Sequence, residues 1–236
     1  MPLSLRTIID ALKRHYGKPA PPISRNPFHL ILWEQVAYLV PDAQRRIAFA
    51  ALRTQIGLTP AAILGGTPAK LHAVTRLGGP IAAMTRATRI RHSAELVAGA
   101  WQGNLGIALK LPLPQARRAL AQFPMIGEPG ADKILAFTKT GRILPLDSNA
   151  LRVLQRLGLV AEAKDYRTAY RLAQAAVARQ LPRTHQGLID ASQLLRQHGQ
   201  ELCRRSAPDC PRCPLRGRCP IGRGSSPLKL SRPRTT

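Results

Sequence analysis

FPMIGEPGADKILAFTKTGRILPLDSNALR, residues 123–152, decides how this chain folds. Pro124 to Gly130 is a glycine- and proline-rich turn, preceded by the apolar-periodic segment Gln115 to Phe123 and followed by Ala131 to Phe137. That order predicts two helices joined by a tight hairpin. Further on, Leu146-Asp147-Ser148-Asn149 precedes an apolar-periodic run from Ala150 to Leu157, which puts Asp147 where an N-cap belongs. A hairpin of this kind turns backbone N–H groups outward at a helix N-terminus, where they and the helix dipole suit a phosphate oxygen. Ile126, Gly127 and Gly130 are therefore candidate phosphate contacts; a plain connection between helices is the alternative.

Outward from this stretch, strand-like alternation is scarce. Ala, Leu, Arg and Gln are abundant and aromatics make up only 4% of the 236 residues, so an all-α protein is expected. The 44% hydrophobic content is enough for a core. Lys and Arg total 36 against 12 Asp and Glu, a formal charge of +24 that favours a polyanion as partner. No apolar run approaches the ~20 residues of a membrane span, and the N-terminus lacks the pattern of a signal peptide. A cytoplasmic, nucleoid-associated monomer with no membrane partner is expected.

Before the hairpin, Leu3 to Tyr16 has amphipathic helical spacing, and the proline-rich link Gly17 to Pro27 reads as a crossing between two packed units. Phe28 to Val40 is apolar nearly all round, interrupted at Glu34-Gln35, and predicts a buried helix ended by Pro41. Ala43 to Ile56 is another helix; Thr59-Pro60 and Thr67-Pro68 each pair an N-cap with proline at the first helical position. Ile81 to Thr88 and Ser93 to Trp101 read as separate helical stretches. After Asp147 come Tyr166 to Gln180 and Gly187 to Gln197, and residues 221–236 read as a disordered basic tail.

Cys203, Cys210, Cys213 and Cys219 form C-x6-C-x2-C-x5-C at the end of a helix. Disulfides are not expected in a reducing compartment, whereas four thiolates this close suit a metal centre. Zinc sites more often pair two CxxC hooks, and only Cys210 to Cys213 forms one here. The uneven spacing favours a [4Fe-4S] cube wrapped by a loop, with zinc as the competitor. Arg212, Arg216 and Arg218 between these cysteines are candidate phosphate ligands, or else a solvated offset to thiolate charge.

Hairpin, aspartate and cysteine loop together resemble the endonuclease III superfamily of base-excision DNA glycosylases, over about residues 26 to 220. FPMIG is similar to that family's LPGVG, LDSNALRV to its VDTHIFRV or LDGNVKRV, and His198-Gly199 precedes the first cysteine as in many members. The resemblance implies two helical lobes: a six-helix barrel with the helix-hairpin-helix at 26–145, and an iron–sulfur lobe from 1–25 and 146–220. It also implies double-stranded DNA in a groove between them, with a damaged or mispaired base flipped out.

On the same resemblance Asp147 is the catalytic aspartate, a role compatible with capping a helix. The family's bifunctional members carry a Schiff-base lysine two residues after the hairpin's last glycine; Pro129 stands there, without an amine. Lys133, one turn on, reads as a surface or phosphate-binding lysine. Phe28 to Glu34 resembles the first barrel helix of the mismatch glycosylases, which makes Glu34 a second catalytic candidate, expected as an isolated buried acid with a raised pKa. Tyr38 and Leu39 stand where relatives place a gap-filling glutamine, so each is either an apolar wedge into DNA or core. Met125 replaces the hairpin's usual first glycine. The expected activity is hydrolytic release of a base, with a non-catalytic lesion-binding protein or a lyase using another lysine as alternatives.

Overall fold

A computed structural model describes residues 3–224, and no β-strand occurs among them. The chain is all-α, as expected, and divides into two compact units. One comprises residues 22–141; the other joins residues up to 21 with those from 142 onward.

The unit of residues 22–141 holds α2 (Pro27–Gln35), α3 (Asp42–Gln55), α4 (Pro60–Gly65), α5 (Pro68–Leu77), α6 (Ala83–Ala100), α7 (Leu113–Leu120) and α8 (Glu128–Phe137), with a 3-10 turn at Leu105–Lys110. The caps that start these helices are local chemistry. Asn26 Oδ1 accepts from the Phe28 and His29 N–H groups ahead of Pro27, while Thr59 and Thr67 accept from Ala62 and Lys70 ahead of Pro60 and Pro68. Each such cap contributes about 1 kcal/mol. Ile31, Leu32, Phe49, Leu52, Ile63, Leu71 and Ile90 fill the core between them.

Two expected helix boundaries are corrected. The buried helix does not reach Val40: α2 ends at Gln35, and the Tyr38 N–H turns to the Gly78 carbonyl at 3.2 Å. The expected stretches at 81–88 and 93–101 are one helix, α6, because Ile90 sits fully buried between them and carries the apolar face across the polar run Arg89 to His92. Gln35, one of the two residues interrupting α2, is a satisfied core polar group. Its side-chain amide donates to Ser93 Oγ at 2.8 Å and to the Pro124 carbonyl at 2.9 Å, tying α2 to α6 and to the start of the hairpin.

The other unit comprises α1 (Leu5–Tyr16), α9 (Ser148–Arg156), α10 (Tyr166–Val177) and α11 (His185–Glu201), followed by the cysteine loop. Leu5, Ile8 and Leu12 of α1 share one core with Leu151 and Leu154 of α9, Tyr170 of α10 and Leu194 of α11. Here α10 stops at Val177 and passes into a 3-10 turn at Ala178–Gln180, whereas α11 runs longer than its expected 187–197. Of the expected tail, Ile221–Arg223 forms a 3-10 turn; its residues from 225 to 236 lie outside the described ones. None of the described helices is long and apolar enough to cross a membrane.

Candidate active site and cysteine loop

The hairpin joins α7 to α8. Met125 adopts φ +67, a left-handed conformation that favours glycine, and does so at an exposed position. Gly127 is the N-cap of α8 with no side-chain cap among the described residues, and Pro129 lies in the helix's first turn, where a missing N–H costs little. Ile126 does not offer itself to a phosphate. Its side chain is buried and packs against Gly130, and its N–H donates to the Phe123 carbonyl at 3.0 Å, so it braces the turn from inside. Arg117 donates to Asp132 across 2.6 Å and clamps α7 onto α8 behind the hairpin.

Glu34 and Lys133 form one pair. Lys133 Nζ donates to Glu34 Oε1 at 2.6 Å, with the side chains 21% and 29% exposed. The Lys133 ammonium also lies 5.7 Å from the centre of the Phe137 ring. Two expectations are corrected here: Lys133 is not a free surface lysine, and Glu34 is not an isolated acid. The spacing of Lys133 from Pro129 is one helical turn, and that turn carries the amine to Glu34.

Asp147 caps α9, as its sequence context predicts. Oδ1 accepts from the Asn149 N–H at 3.0 Å and the Ala150 N–H at 2.8 Å; Oδ2 accepts from Asn149 Nδ2 at 3.2 Å and faces Arg196 Nε at 3.2 Å. Four donors thus fix the carboxylate in one orientation. The Tyr166 hydroxyl donates to the Leu146 carbonyl at 3.3 Å, and burial, then the Asp147 charge, push its pKa up to about 12.

From Asp147 a chain of side-chain hydrogen bonds leads to the first cysteine. Asn149 Oδ1 accepts from Arg152 at 2.9 Å, and the same guanidinium donates to the Gly199 carbonyl at 2.7 Å and the Cys203 carbonyl at 2.9 Å. Arg156, at the end of α9, donates to the Arg204 carbonyl at 2.7 Å and approaches Cys203 Sγ at 3.5 Å. α9 and α11 meet so closely that a Cβ on Gly199 would stand 2.7 Å from the Asn149 carbonyl oxygen. Sequence reasoning missed Asn149, Arg152, Arg156 and Arg196 as parts of this arrangement. The one available signal was polar side chains recurring on α9, whose apolar residues otherwise face the core.

The four cysteines line one cavity, closed by apolar side chains that include Val153, Leu157, Leu202 and Leu215. Among the described residues no three His, Cys, Asp or Glu side chains converge tightly enough to hold a single metal ion. Four thiols around one apolar cavity are a donor set that suits a zinc ion or an iron–sulfur cluster. Burial pushes the Cys213 thiol up to about 11, and raises that of Cys203 against the pull of Arg156. His198, buried beside them, places Nε2 3.5 Å from Cys213 Sγ and Nδ1 3.0 Å from the Tyr16 hydroxyl. Arg212, Arg216 and Arg218 are exposed, with Arg212 3.3 Å from Asp209. Tyr38 and Leu39 are exposed as well, so neither is core.

No family model matches the chain. In sequence it is 24% identical, over 197 residues, to endonuclease III of Sulfolobus acidocaldarius, covering 83% of this chain and 82% of that protein. Among solved structures, a trapped endonuclease III–DNA covalent intermediate is similar with a TM-score of 0.74 at 19% identity, over 94% of this chain and 98% of that one. A thermostable thymine-DNA glycosylase is similar with a TM-score of 0.70 at 13% identity, over 93% and 97% of the two chains. In sequence the chain is thus similar to an endonuclease III, and its fold is that of the endonuclease III-like helix-hairpin-helix structures.

Proposed function

We propose that this chain is a DNA glycosylase that hydrolyses the N-glycosidic bond of a damaged or mispaired base flipped out of double-stranded DNA. The observation that carries the reading is Asp147, a carboxylate oriented by four donors at the start of α9. Its similarity to endonuclease III and the +24 charge support DNA as the substrate.

As the bond to the base breaks, positive charge develops on the deoxyribose, and a fixed anion beside it lowers the barrier. The bonding electron pair leaves with the base, a water oxygen adds to the sugar carbon, and the water's proton passes to the departing base or to solvent. Asp147 supplies the charge, and its cap hydrogen bonds hold the carboxylate still while the sugar changes. Arg196 offsets part of that charge. Glu34, held by Lys133, is the second carboxylate of the mechanism and orients water.

Hydrolysis is the reading rather than β-elimination because no amine stands where a Schiff base would form. Pro129 has none, and the Lys133 amine is taken up by Glu34 at 2.6 Å. Gly127 and Gly130 would lie along a DNA phosphate through their backbone, with Arg212, Arg216 and Arg218 as a second contact. The four cysteines would hold a [4Fe-4S] cluster that fixes the shape of this arginine-bearing loop.

The test is base release from a panel of lesion- and mismatch-containing duplexes, with Asp147→Asn alongside. Equal release by the variant sinks the assignment. Tight, salt-sensitive binding with no release by either protein supports instead a non-catalytic lesion binder.

A further inference from the structure

The donors on Asp147 are of two kinds. The Asn149 and Ala150 N–H groups and the Asn149 amide are uncharged parts of the α9 cap, whereas Arg196 is a cation brought in from α11. The cap already orients the carboxylate, so a cation is not needed to hold it. A guanidinium 3.2 Å away also cancels part of the negative charge that is to stabilise a cationic sugar. Its place is nevertheless built. α11 is pressed onto the start of α9, where a Cβ on Gly199 would meet the Asn149 carbonyl oxygen at 2.7 Å, and Arg196 lies one turn back from Gly199 on the same face. Its neighbours Leu195 and His198 are buried, while the Arg196 and Asp147 side chains stay 22% and 32% exposed and reach solvent together.

Breaking a glycosidic bond separates two charges. Positive charge grows on the sugar, and a base that is not protonated beforehand takes the electron pair and becomes an anion, spread over its ring nitrogen and carbonyl oxygens. An anion fixed beside a cation is the complementary arrangement, the carboxylate for the sugar and the guanidinium for the base. Charges already in place need no reorganisation as the bond stretches. A planar fork with five donors can serve a carboxylate through Nε and a carbonyl oxygen through another nitrogen at once. A base that is cationic before cleavage leaves neutral; the guanidinium then gains nothing from its departure and repels it on entry.

We propose that Arg196 is a catalytic residue that takes up the negative charge on the departing base, so that Asp147 and Arg196 act as a charge pair matched to the separating sugar and base. This rests on the glycosylase reading above and deepens it, because it selects bases that leave as anions over bases that carry positive charge before cleavage. In the step, the bond between the sugar carbon and the base nitrogen breaks and its electron pair goes to the base, to which Arg196 donates a hydrogen bond. A water oxygen adds to the sugar carbon, the water's proton passes to the base anion or to solvent, and Arg196 is unchanged at the end.

The experiment measures single-turnover base release by the purified full chain from duplexes carrying uracil, 5-fluorouracil or 7-methylguanine. The first two leave as anions, the fluorinated one more readily; 7-methylguanine is cationic and leaves neutral. Arg196→Gln is expected to slow uracil release about a hundred-fold and 5-fluorouracil release about ten-fold, with 7-methylguanine release unchanged or faster. Arg196→Lys, which keeps the charge, restores uracil release to within about ten-fold of the wild type. Equal slowing on all three duplexes, the mark of a donor that only orients Asp147, overturns the proposal, and so does equal acceleration, the mark of a charge offset alone. The wild type gives a reading that holds even where Arg196→Gln does not fold by circular dichroism: its acceleration over spontaneous loss is larger for uracil than for 7-methylguanine, and the reverse order overturns the proposal. Release of 7-methylguanine with none of either uracil sinks the charge pair and leaves the glycosylase standing. No release from these or any duplex of the wider lesion panel sinks the glycosylase, and the charge pair with it.

Discussion

Lys133 donates to Glu34 across 2.6 Å, so the one lysine near the expected Schiff-base position is bound to the second candidate carboxylate. Both side chains are partly exposed, and a pair in that setting contributes at most about 1 kcal/mol. A double-mutant cycle of Glu34→Gln and Lys133→Met, measured by urea unfolding, is expected to show a coupling of about 0.5 kcal/mol. The same Lys133→Met variant tests the chemistry. Borohydride is expected to trap no DNA adduct with wild type or variant; trapping that Lys133→Met abolishes would make Lys133 a lyase nucleophile.

Asp147 has two separable duties. In Asp147→Asn the amide oxygen still accepts from the Asn149 and Ala150 N–H groups, so α9 keeps its cap while the charge is lost. Base release is expected to fall about a hundred-fold or more in single-turnover assays, with the thermal midpoint nearly unchanged. Asp147→Ala removes the cap as well, and its stability is expected to drop by about 1 kcal/mol further.

Arg152 touches both the aspartate's partner Asn149 and the Cys203 carbonyl. Arg152→Gln is therefore expected to weaken two things together: base release, and retention of the chromophore absorbing at about 400 nm during gel filtration. Loss of release with full retention would confine Arg152 to the Asp147 side.

Cys213→Ser addresses the cavity itself. The wild type is expected to carry iron and acid-labile sulfide in near-equal amounts, and the variant to lose both with the absorbance at about 400 nm. A colourless wild type with one zinc per chain would contradict the cluster reading.

The sequence made the local chemistry legible and the distant pairings opaque. Asp147, Thr59 and Thr67 cap helices because their partners lie two or three residues away, and such contacts follow from neighbours alone. Glu34 and Lys133 lie 99 positions apart, and nothing in either's neighbourhood announces the other. The end of α2 was misread for a similar reason: Val36 and Ala37 are apolar enough to continue a helix, but Arg86 and Gly78 from later in the chain hold that segment in a turn. For α6 the fault was local, since Ile90, fully buried within Arg89 to His92, carries the helix from one expected stretch to the other. The cysteines were found by spacing, yet nothing in the sequence marked Arg152 and Arg156 of α9 as the side chains that grip their loop.

α9 is nine residues long, with Asp147 just before it and Arg152 and Arg156 along it. Each residue turns a helix by about 100°, so the helix works as a ruler whose length fixes the angle between its two ends. Substitutions on its exposed side leave that angle alone. Inserting or deleting a single residue between Asn149 and Arg152 would keep the capped aspartate and swing both guanidiniums away from the Cys203 loop. In this segment, therefore, the number of residues constrains the chain more tightly than the identity of most of them.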